Sequence, residues 1–167
     1  MLIKHDRKVL GVPIDNGATS YHRVIQPLYE LMQQGHPVQF LDTQENQLDQ
    51  YKWADILYIQ CLYAPDAYKF YAEQKKLGKK IIIDFDDDYI NIPEGSPEQT
   101  EVIDKTTGEV FRYPSQMRSI FVQMFIQLAD IVVVTTEALR QLYTPWAKDI
   151  RVIPNCVSTE MRRDVPK

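Results

Sequence analysis

The stretch Lys80-Ile81-Ile82-Ile83-Asp84-Phe85-Asp86-Asp87-Asp88 decides the fold of this chain. Its apolar run follows Gly78, is rich in β-branched residues, and is typical of a strand buried on both faces of a parallel sheet. Acidic residues follow where the strand ends, and in open α/β sheets ligands bind at the carboxyl ends of the strands. Asp86, Asp87 and Asp88 are therefore either ligand-facing carboxylates or part of a solvated turn, and the pattern leaves both open.

Five more apolar stretches alternate with helical patterns along the chain. Strands are predicted at Lys8–Ile14, Val38–Leu41, Ala54–Gln60, Ala129–Thr135 and Ile150–Ile153. Helices are predicted from Tyr21 to Gly35, from Pro65 to Gly78, from Met117 to Leu128 and from Thr136 to Tyr143. This alternation predicts βαβ units with right-handed crossovers. The expected fold class is α/β, a doubly wound Rossmann-like parallel sheet.

The helical patterns carry signals for caps and for the buried face. Thr19 or Ser20 is expected to cap the first helix, and Gly35 to stop it. Pro27 is expected either to kink this helix or to delay its start. The third helix is expected to bury one apolar stripe, formed by Met117, Ile120, Phe121, Met124, Phe125 and Leu128.

Residues 89–114 interrupt the alternation. Within them Val102-Ile103 and Val110-Phe111 flank a polar turn, which predicts a small β-hairpin. An insertion of this length after a strand is usually a functional loop, and the alternative is a surface excursion without a role.

The composition narrows the classes of function. The chain has 167 residues, of which 44% are hydrophobic and 25% charged, and this suits one globular domain. A net charge of −4 argues against strong binding to duplex nucleic acid. Neither a signal peptide nor a membrane span is expected, and the predicted location is the cytoplasm. Cys61 and Cys156 are far apart, so they predict buried free thiols and no metal site.

The loop after the first strand has no G-x-G-x-x-G fingerprint and no P-loop. What remains is Asn16-Gly17 at a helix N-terminus, where free backbone N–H groups can meet an anionic or polar ligand. His22 and Arg23 follow one turn later, and a guanidinium can pair with a diphosphate through two hydrogen bonds. The alternative is that both are surface residues of a helix start.

The order of several motifs resembles a known family. They are Asn16-Gly17 with Tyr21-His22-Arg23, Pro27-Leu28, Gly35-His36-Pro37-Val38, the acidic segment Asp84 to Pro93, Ala129 to Thr136, and Ile150 to Val157. Together they look like the N-terminal domain of a GT-B glycosyltransferase, of the group that resembles glycogen synthase and includes phage and bacterial members. The chain departs from that family in having Cys156 where a Gly is usual, and Asp86 and Asp87 where members often have His.

The resemblance implies two Rossmann-like domains that face each other across a cleft. Residues 1–157 would be the acceptor-binding domain with insertion 89–114, and 158–167 a tail toward a donor-binding domain, supplied in cis or in trans. The co-substrate would be a nucleotide sugar, with no catalytic metal or other cofactor. Asp86 and Asp87 would be catalytic. The substrate-binding residues would be Asn16, Gly17, Tyr21, His22, Arg23, Asp88, Tyr89 and Thr135.

Two alternatives come from other classes of function. Ile81-Ile82-Ile83-Asp84-Phe85-Asp86 is similar to the nucleophile strand of haloacid-dehalogenase phosphatases, in which an Asp attacks phosphorus and Mg²⁺ is shared. That strand comes first in the phosphatases, however, and no later acidic pair supplies the metal. The second alternative is a non-catalytic Rossmann-like module that binds a sugar or a protein through Trp53, Tyr63, Tyr68 and Tyr89.

Overall fold

A computed structural model describes residues 6–15, 17–42, 46–61, 65–93, 101–103, 110–112 and 115–155. Several sequence predictions fall outside this part of the chain, namely those on Asn16, Tyr63, the hairpin turn at 104–109, Cys156, Val157 and the tail 158–167.

The main sheet has six parallel strands in the order β2-β1-β3-β4-β7-β8. They are β1 Val9–Val12, β2 Val38–Phe40, β3 Ile56–Gln60, β4 Lys80–Phe85, β7 Ile131–Val134 and β8 Ile150–Val152. All six predicted strands are present, so the expected α/β, Rossmann-like fold class is confirmed. The predicted hairpin is also present, as the antiparallel pair β5 Glu101–Ile103 and β6 Val110–Arg112.

Helices connect the strands of the main sheet. They are α1 Ala18–Ser20, a π-helical turn Tyr21–Ile25, α2 Gln26–Gln33, α3 Gln47–Trp53, α4 Pro65–Lys76, α5 Ser115–Leu128 and α6 Glu137–Tyr143. The first three form one continuous helical segment, 18–33. Its π turn comes just before Pro27, which cannot donate to the α-helical ladder, and this explains the predicted irregularity. The sequence analysis missed α3, whose start is capped where the side chain of Asn46 accepts from the amide of Leu48.

The two faces of the sheet are covered unequally. Helices α3 to α6 pack on one face, which we call the front face, and form the main core with Leu57, Ile81, Phe85 and Phe125. Among the described residues, only the helical segment 18–33 packs on the opposite, back face, where it forms a small second cluster. This arrangement follows from topology, because the crossover from β1 to β2 runs in the opposite sense along the sheet to all later ones.

Gly11 allows the back-face helix to approach β1 closely. A Cβ at this position would lie 2.6 Å from Cδ1 of Leu28 and 3.2 Å from Cγ1 of Val24. The lack of a side chain at Gly11 therefore lets segment 18–33 lie close to the sheet.

The ends of the helices confirm some predictions and correct others. Gly35 follows the end of α2 with φ of +85°, and Thr136 caps α6 by accepting from the amide of Leu139, both as predicted. The predicted cap by Thr19 or Ser20 is wrong. Gly17 is the N-cap residue of α1 and has no side chain to offer.

The predicted buried stripe of α5 is wrong in part. Phe125 is fully buried as expected, but Met117 and Ile120 are exposed. Val122 and Ile126, outside the predicted stripe, are buried instead. The apolar residues of α5 run nearly all round the helix, so the pattern could not fix which side faces the sheet.

Asp130 ties β4 to the loop that precedes β7. Its Oδ2 accepts from the amide of Ile81 at 2.9 Å, and its Oδ1 lies 3.2 Å from Nζ of Lys75. Burial alone would raise the pKa of Asp130, but these donors outweigh burial and hold the pKa below its ordinary value.

No helix within the described ranges is long and apolar enough to cross a membrane.

Candidate functional site at the carboxyl edge of the sheet

Polar side chains line the carboxyl edge of the sheet where β1, β3, β4 and β7 end. The neighbours β1 and β3 mark the point where the strand order reverses, because β2 continues from β1 in one direction and β3 begins the other. In open α/β sheets the crevice at such a reversal is where ligands bind.

The end of β1 forms a closed network around Ser20. Oδ1 of Asp15 accepts from the amide of Gly17 at 2.8 Å, and it also lies 2.6 Å from Oγ of Ser20. The same hydroxyl lies 2.6 Å from Oε1 of Gln60 on β3, so its single proton serves one acceptor at a time. The bonds from Ser20 and Gly17 hold the pKa of Asp15 below its ordinary value, so this carboxylate is ionised at neutral pH.

This network changes the expected role of Gly17. A free N–H for an anion was predicted there, but the amide of Gly17 already donates to a carboxylate of the same loop. The charge of Asp15 disfavours a second anion at this helix start. Gly17 has an ordinary φ of −78°, so its backbone conformation does not require glycine. A Cβ at this position would lie 3.0 Å from Oδ1 of Asp15, so the lack of a side chain lets the Asp15 carboxylate lie close to the backbone of Gly17.

The three acids after β4 have different surroundings. Oδ1 of Asp86 accepts from the hydroxyl of Tyr89 at 2.9 Å, and the side chain is half-buried. Asp87 is exposed, and its carboxylate accepts from the amide of Asp88. Asp88 uses both oxygens within a local turn, accepting from the amides of Ile90 and Asn91 and from the side chain of Asn91. Asp86 and Asp87 are thus the carboxylates presented at the edge, and Asp88 shapes the turn.

The acidic loop is fixed by side chains from the neighbouring strand and helix. Oγ1 of Thr135, at the end of β7, donates to the carbonyl of Asp86 at 3.1 Å. The hydroxyl of Tyr143 donates to the carbonyl of Asp87 at 2.7 Å and accepts from the amide of Tyr89 at 3.0 Å. Tyr143 is fully buried, so these bonds hold the loop against the core.

Cys61 and Arg118 also lie near the acidic loop at the carboxyl edge. Cys61 directly follows β3 with φ of +25°, a conformation rare for a residue with a side chain. Burial raises the pKa of the Cys61 thiol to about 12, so it is not a thiolate nucleophile at neutral pH. The guanidinium carbon of Arg118 lies 5.4 Å from the ring centre of Tyr89, which places a cation close to the acidic loop.

Arg23 lies inside the fold. Its side chain is 3% exposed, and Nε and Nη2 donate to the two oxygens of Asp84 at 2.8 and 2.7 Å. Nη1 donates to the carbonyl of Ile153 and to the side chain of Asn155. Arg23 was predicted to pair with a diphosphate, but all three of its nitrogens already have partners within the fold. Its role is to join the helical segment 18–33 to β4 and to the chain after β8.

Asp84 is the buried partner in this network. It is 0% exposed, and Oδ2 also accepts from the hydroxyl of Tyr58 at 2.6 Å. Burial raises the pKa of Asp84 above its ordinary value, and the donors of Arg23 and Tyr58 only partly offset that effect. A carboxylate enclosed in this way cannot attack phosphorus, which counts against the phosphatase alternative.

The other predicted binding residues lie on the helical segment 18–33. Tyr21 is exposed and meets His22 edge to face, with ring centres 5.3 Å apart. His22 is half-buried, with Nδ1 3.3 Å from Oε1 of Gln26, and it lines a groove on the back face. The structure therefore gathers Asp86, Asp87, Asp88, Tyr89 and Thr135 at one place and leaves Tyr21, His22 and Arg23 outside that group.

The sequence did not predict the roles that the structure gives to Asp84, Ser20, Gln60, Arg118 and Tyr143. One signal was available, because a charged residue inside an apolar strand needs a buried partner, and this holds for Asp84. No comparable signal was available for the other four residues. Ser20 contacts Gln60, which is 40 residues away in the sequence, and Tyr143 contacts Asp87, which is 56 residues away. Arg118 contacts Tyr89 from α5, the helix that follows the insertion.

The aromatic residues of the binding-module alternative do not converge. Trp53 lies near the amino edge of the sheet, where Nζ of Lys8 is 5.8 Å from its ring centre. Tyr68 packs edge to face on Phe125, with ring centres 5.5 Å apart. Tyr63 lies outside the described residues, and the other three, Trp53, Tyr68 and Tyr89, form no common binding surface.

In the part of the chain that the structure describes, no group of three or more His, Cys, Asp or Glu side chains is placed to hold a metal ion. In comparisons with known proteins, no family model matches the chain and no curated protein is significantly similar to it.

Proposed function

We propose that the chain is the acceptor-binding, N-terminal domain of a GT-B glycosyltransferase that uses a nucleotide-sugar donor. The observation that carries the proposal is the position of Asp86, a half-buried carboxylate at the carboxyl end of a central strand. Its Oδ1 is held by the hydroxyl of Tyr89, and no described residue donates to its Oδ2. Such a carboxylate can accept a proton or a hydrogen bond from an acceptor hydroxyl.

The charge along the edge supports a neutral, hydroxyl-bearing acceptor. Asp15, Asp86 and Asp87 place negative charge at the ends of β1 and β4, and Asp15 occupies the helix start where a phosphate would otherwise bind. These three carboxylates outnumber the guanidinium of Arg118 near the acidic loop, so an anionic ligand is disfavoured here. The diphosphate of the donor is therefore assigned to a second domain, joined in cis or in trans. The order of motifs from Asn16 to Val157, which resembles that of the glycosyltransferase domain, supports the same assignment.

Within this function Asp86 is the base or acceptor-orienting residue, and Asp87 is a second contact for acceptor hydroxyls. Asp88, Thr135 and Tyr143 fix the backbone of the loop, so that the two carboxylates keep one geometry. Tyr89 orients Asp86 through its hydroxyl.

The test is transfer of sugar by the complete enzyme, measured with Asp86→Asn and with the matched control Glu73→Gln. Both changes convert one carboxylate to an amide, but Glu73 is exposed on α4 and pairs only with the neighbouring Lys76 among the described residues. We expect Asp86→Asn to remove most turnover with an unchanged melting temperature, and Glu73→Gln to keep full turnover. Equal turnover in the two variants would contradict the role given to Asp86.

A further inference from the structure

The side chain of Gln60 is buried at the end of β3, and one half of its amide has no partner among the described residues. Its exposed fraction is 3%; Oε1 accepts from the amide of Ile14 at 3.3 Å and lies 2.6 Å from Oγ of Ser20. Nε2 can donate two hydrogen bonds, yet it donates to no described residue. Because buried polar side chains almost always have partners, Nε2 marks a place where a ligand can supply one.

The contacts of Gln60 fix which atom of its amide faces outward. The backbone amide of Ile14 can only donate, so the atom that faces it is the acceptor Oε1, and Nε2 points the other way. The polar atoms that the described residues enclose without a partner do not include Nε2, so this atom meets solvent. A donor that is held in one orientation and reaches solvent is suited to bind a ligand oxygen, which takes the place of water there.

Gln60 stands at the point where the strand order reverses. It is the last residue of β3, which lies between β1 and β4, and it pairs in register with Asp84. In open α/β sheets ligands bind in the crevice beyond the strand ends at this point. The outward donor of Gln60 therefore lies at the carboxyl edge, beside the strand that leads to Asp86.

A carboxylate stands next to this donor. Oδ1 of Asp15 accepts from the amide of Gly17 and lies 2.6 Å from the same Ser20 hydroxyl that contacts Gln60. No described residue donates to Oδ2 of Asp15, and the residue is exposed. Because one hydroxyl contacts both groups, an outward N–H donor and an outward carboxylate oxygen are neighbours. A ligand hydroxyl can accept from the first and donate to the second at once.

We propose that Gln60 and Asp15 bind one hydroxyl group of the neutral acceptor, with Nε2 donating to its oxygen and Oδ2 of Asp15 accepting its hydrogen bond. The inference rests on the proposed function, because it gives a second contact to the acceptor that Asp86 binds. Ser20 is a positioning residue, since its hydroxyl joins the carboxylate to the amide. A phosphate group is disfavoured at this place, because it would meet the negative charge of Asp15.

Chemical-shift perturbation of the side-chain amide of Gln60 in the isotope-labelled chain tests the proposal. The probes are the methyl glycosides of glucose, galactose, mannose and N-acetylglucosamine, with glucose phosphate as the anionic comparison. We expect at least one neutral glycoside to shift the Nε2 resonances in a saturable manner. Glucose phosphate should bind about tenfold more weakly than the tightest of the neutral glycosides, or not at all.

Two variants remove one partner each and keep the contacts within the fold. Gln60→Glu keeps Oε1 and replaces the donor by an oxygen, and Asp15→Asn keeps Oδ1 and replaces Oδ2 by a donor. Each should weaken binding about tenfold, because one hydrogen bond to the ligand is lost. The matched control Gln33→Glu, at an exposed position of α2, should leave the affinity unchanged. Since Asp15 is exposed, Asp15→Asn carries the test even where the buried Gln60→Glu variant fails to fold.

The pattern of shifts separates this inference from the proposed function. Shifts at Asp86 to Tyr89 with none at Gln60 would overturn the inference and leave the proposed function standing. Shifts at Gln60 with none at Asp86 to Tyr89 would support the hydroxyl site and contradict the proposed function. Unchanged affinity in Asp15→Asn, equal or tighter binding of glucose phosphate, or no shift at Gln60 with any glycoside would each overturn the inference.

Discussion

The Arg23–Asp84 pair allows a sharp prediction about stability. Replacing Asp84 by Ala would leave a guanidinium, 3% exposed in the native chain, without the carboxylate that accepts from two of its nitrogens. Breaking a buried pair by removing one partner costs about 3–5 kcal/mol. For a chain of 167 residues, a loss of about 4 kcal/mol corresponds to a fall in melting temperature of roughly 10 °C.

The matched control is the exposed pair between Arg151 and Asp149. It has the same two-bond geometry, with distances of 2.8 and 2.9 Å, but its side chains are 65% and 38% exposed. Urea unfolding followed by far-ultraviolet circular dichroism gives the comparison. We expect Asp84→Ala to lower the midpoint strongly without changing the slope, and Asp149→Ala to leave it nearly unchanged.

A double replacement separates the contribution of the ion pair to the free energy of unfolding from the cost of burying an unpaired charge. Because both charges are removed from water, the cost of burying them offsets most of their attraction, so the pair contributes little net stability compared with apolar residues of similar size. Arg23→Met with Asp84→Leu should therefore be more stable than Asp84→Ala alone. Equal, small losses for Asp84→Ala and Asp149→Ala would refute the argument, since they would show that Arg23 is not held in a buried network.

Three further predictions concern single positions. Asp130→Asn should make the stability of the chain less dependent on pH in acid. The lowered pKa of Asp130 stabilises the fold above pH 3.8, and this contribution is lost as the pH falls further. Thermal melts from pH 5 to pH 2 measure the difference. Gly11→Val should destabilise the chain by about 1–3 kcal/mol in urea unfolding, because its side chain would overlap Leu28. Tyr143→Phe should cost about 1–3 kcal/mol by leaving buried polar groups unpaired, and should speed hydrogen exchange at the amide of Tyr89.

The elements of the fold follow largely from local sequence. Runs such as Ile81 to Ile83 and Ile131 to Val134 are too apolar and β-branched to be other than buried strands, and their order with the helices fixes a parallel sheet. The helix Gln47–Trp53 was missed because it is short and largely polar, and its signal is a single cap at Asn46. The buried face of α5 was misjudged because its apolar residues do not form one stripe.

The candidate site was predictable in place but not in detail. A cluster of acids after a buried strand points to the carboxyl edge, and Asp86 and Asp87 do stand there. The partners of each group could not be read from spacing, because Arg23 meets Asp84 across 61 residues and Tyr143 meets Asp87 across 56. The burial of Arg23 depends on tertiary packing and is not visible in the sequence. The sequence therefore suggested a diphosphate as the partner of Arg23, whereas the partner in the fold is the carboxylate of Asp84.

The most direct test of the proposed function is to map ligand binding by chemical-shift perturbation in the isotope-labelled chain. The ligands are a panel of oligosaccharide acceptors and, separately, a panel of nucleoside diphosphate sugars. We predict that an acceptor shifts the amides of Cys61 and of Asp86 to Tyr89, that the donors bind weakly at most, and that Asp86→Asn abolishes the acceptor shifts. Micromolar binding of a donor to this chain, or acceptor shifts confined to residues away from the carboxyl edge, would contradict the proposal.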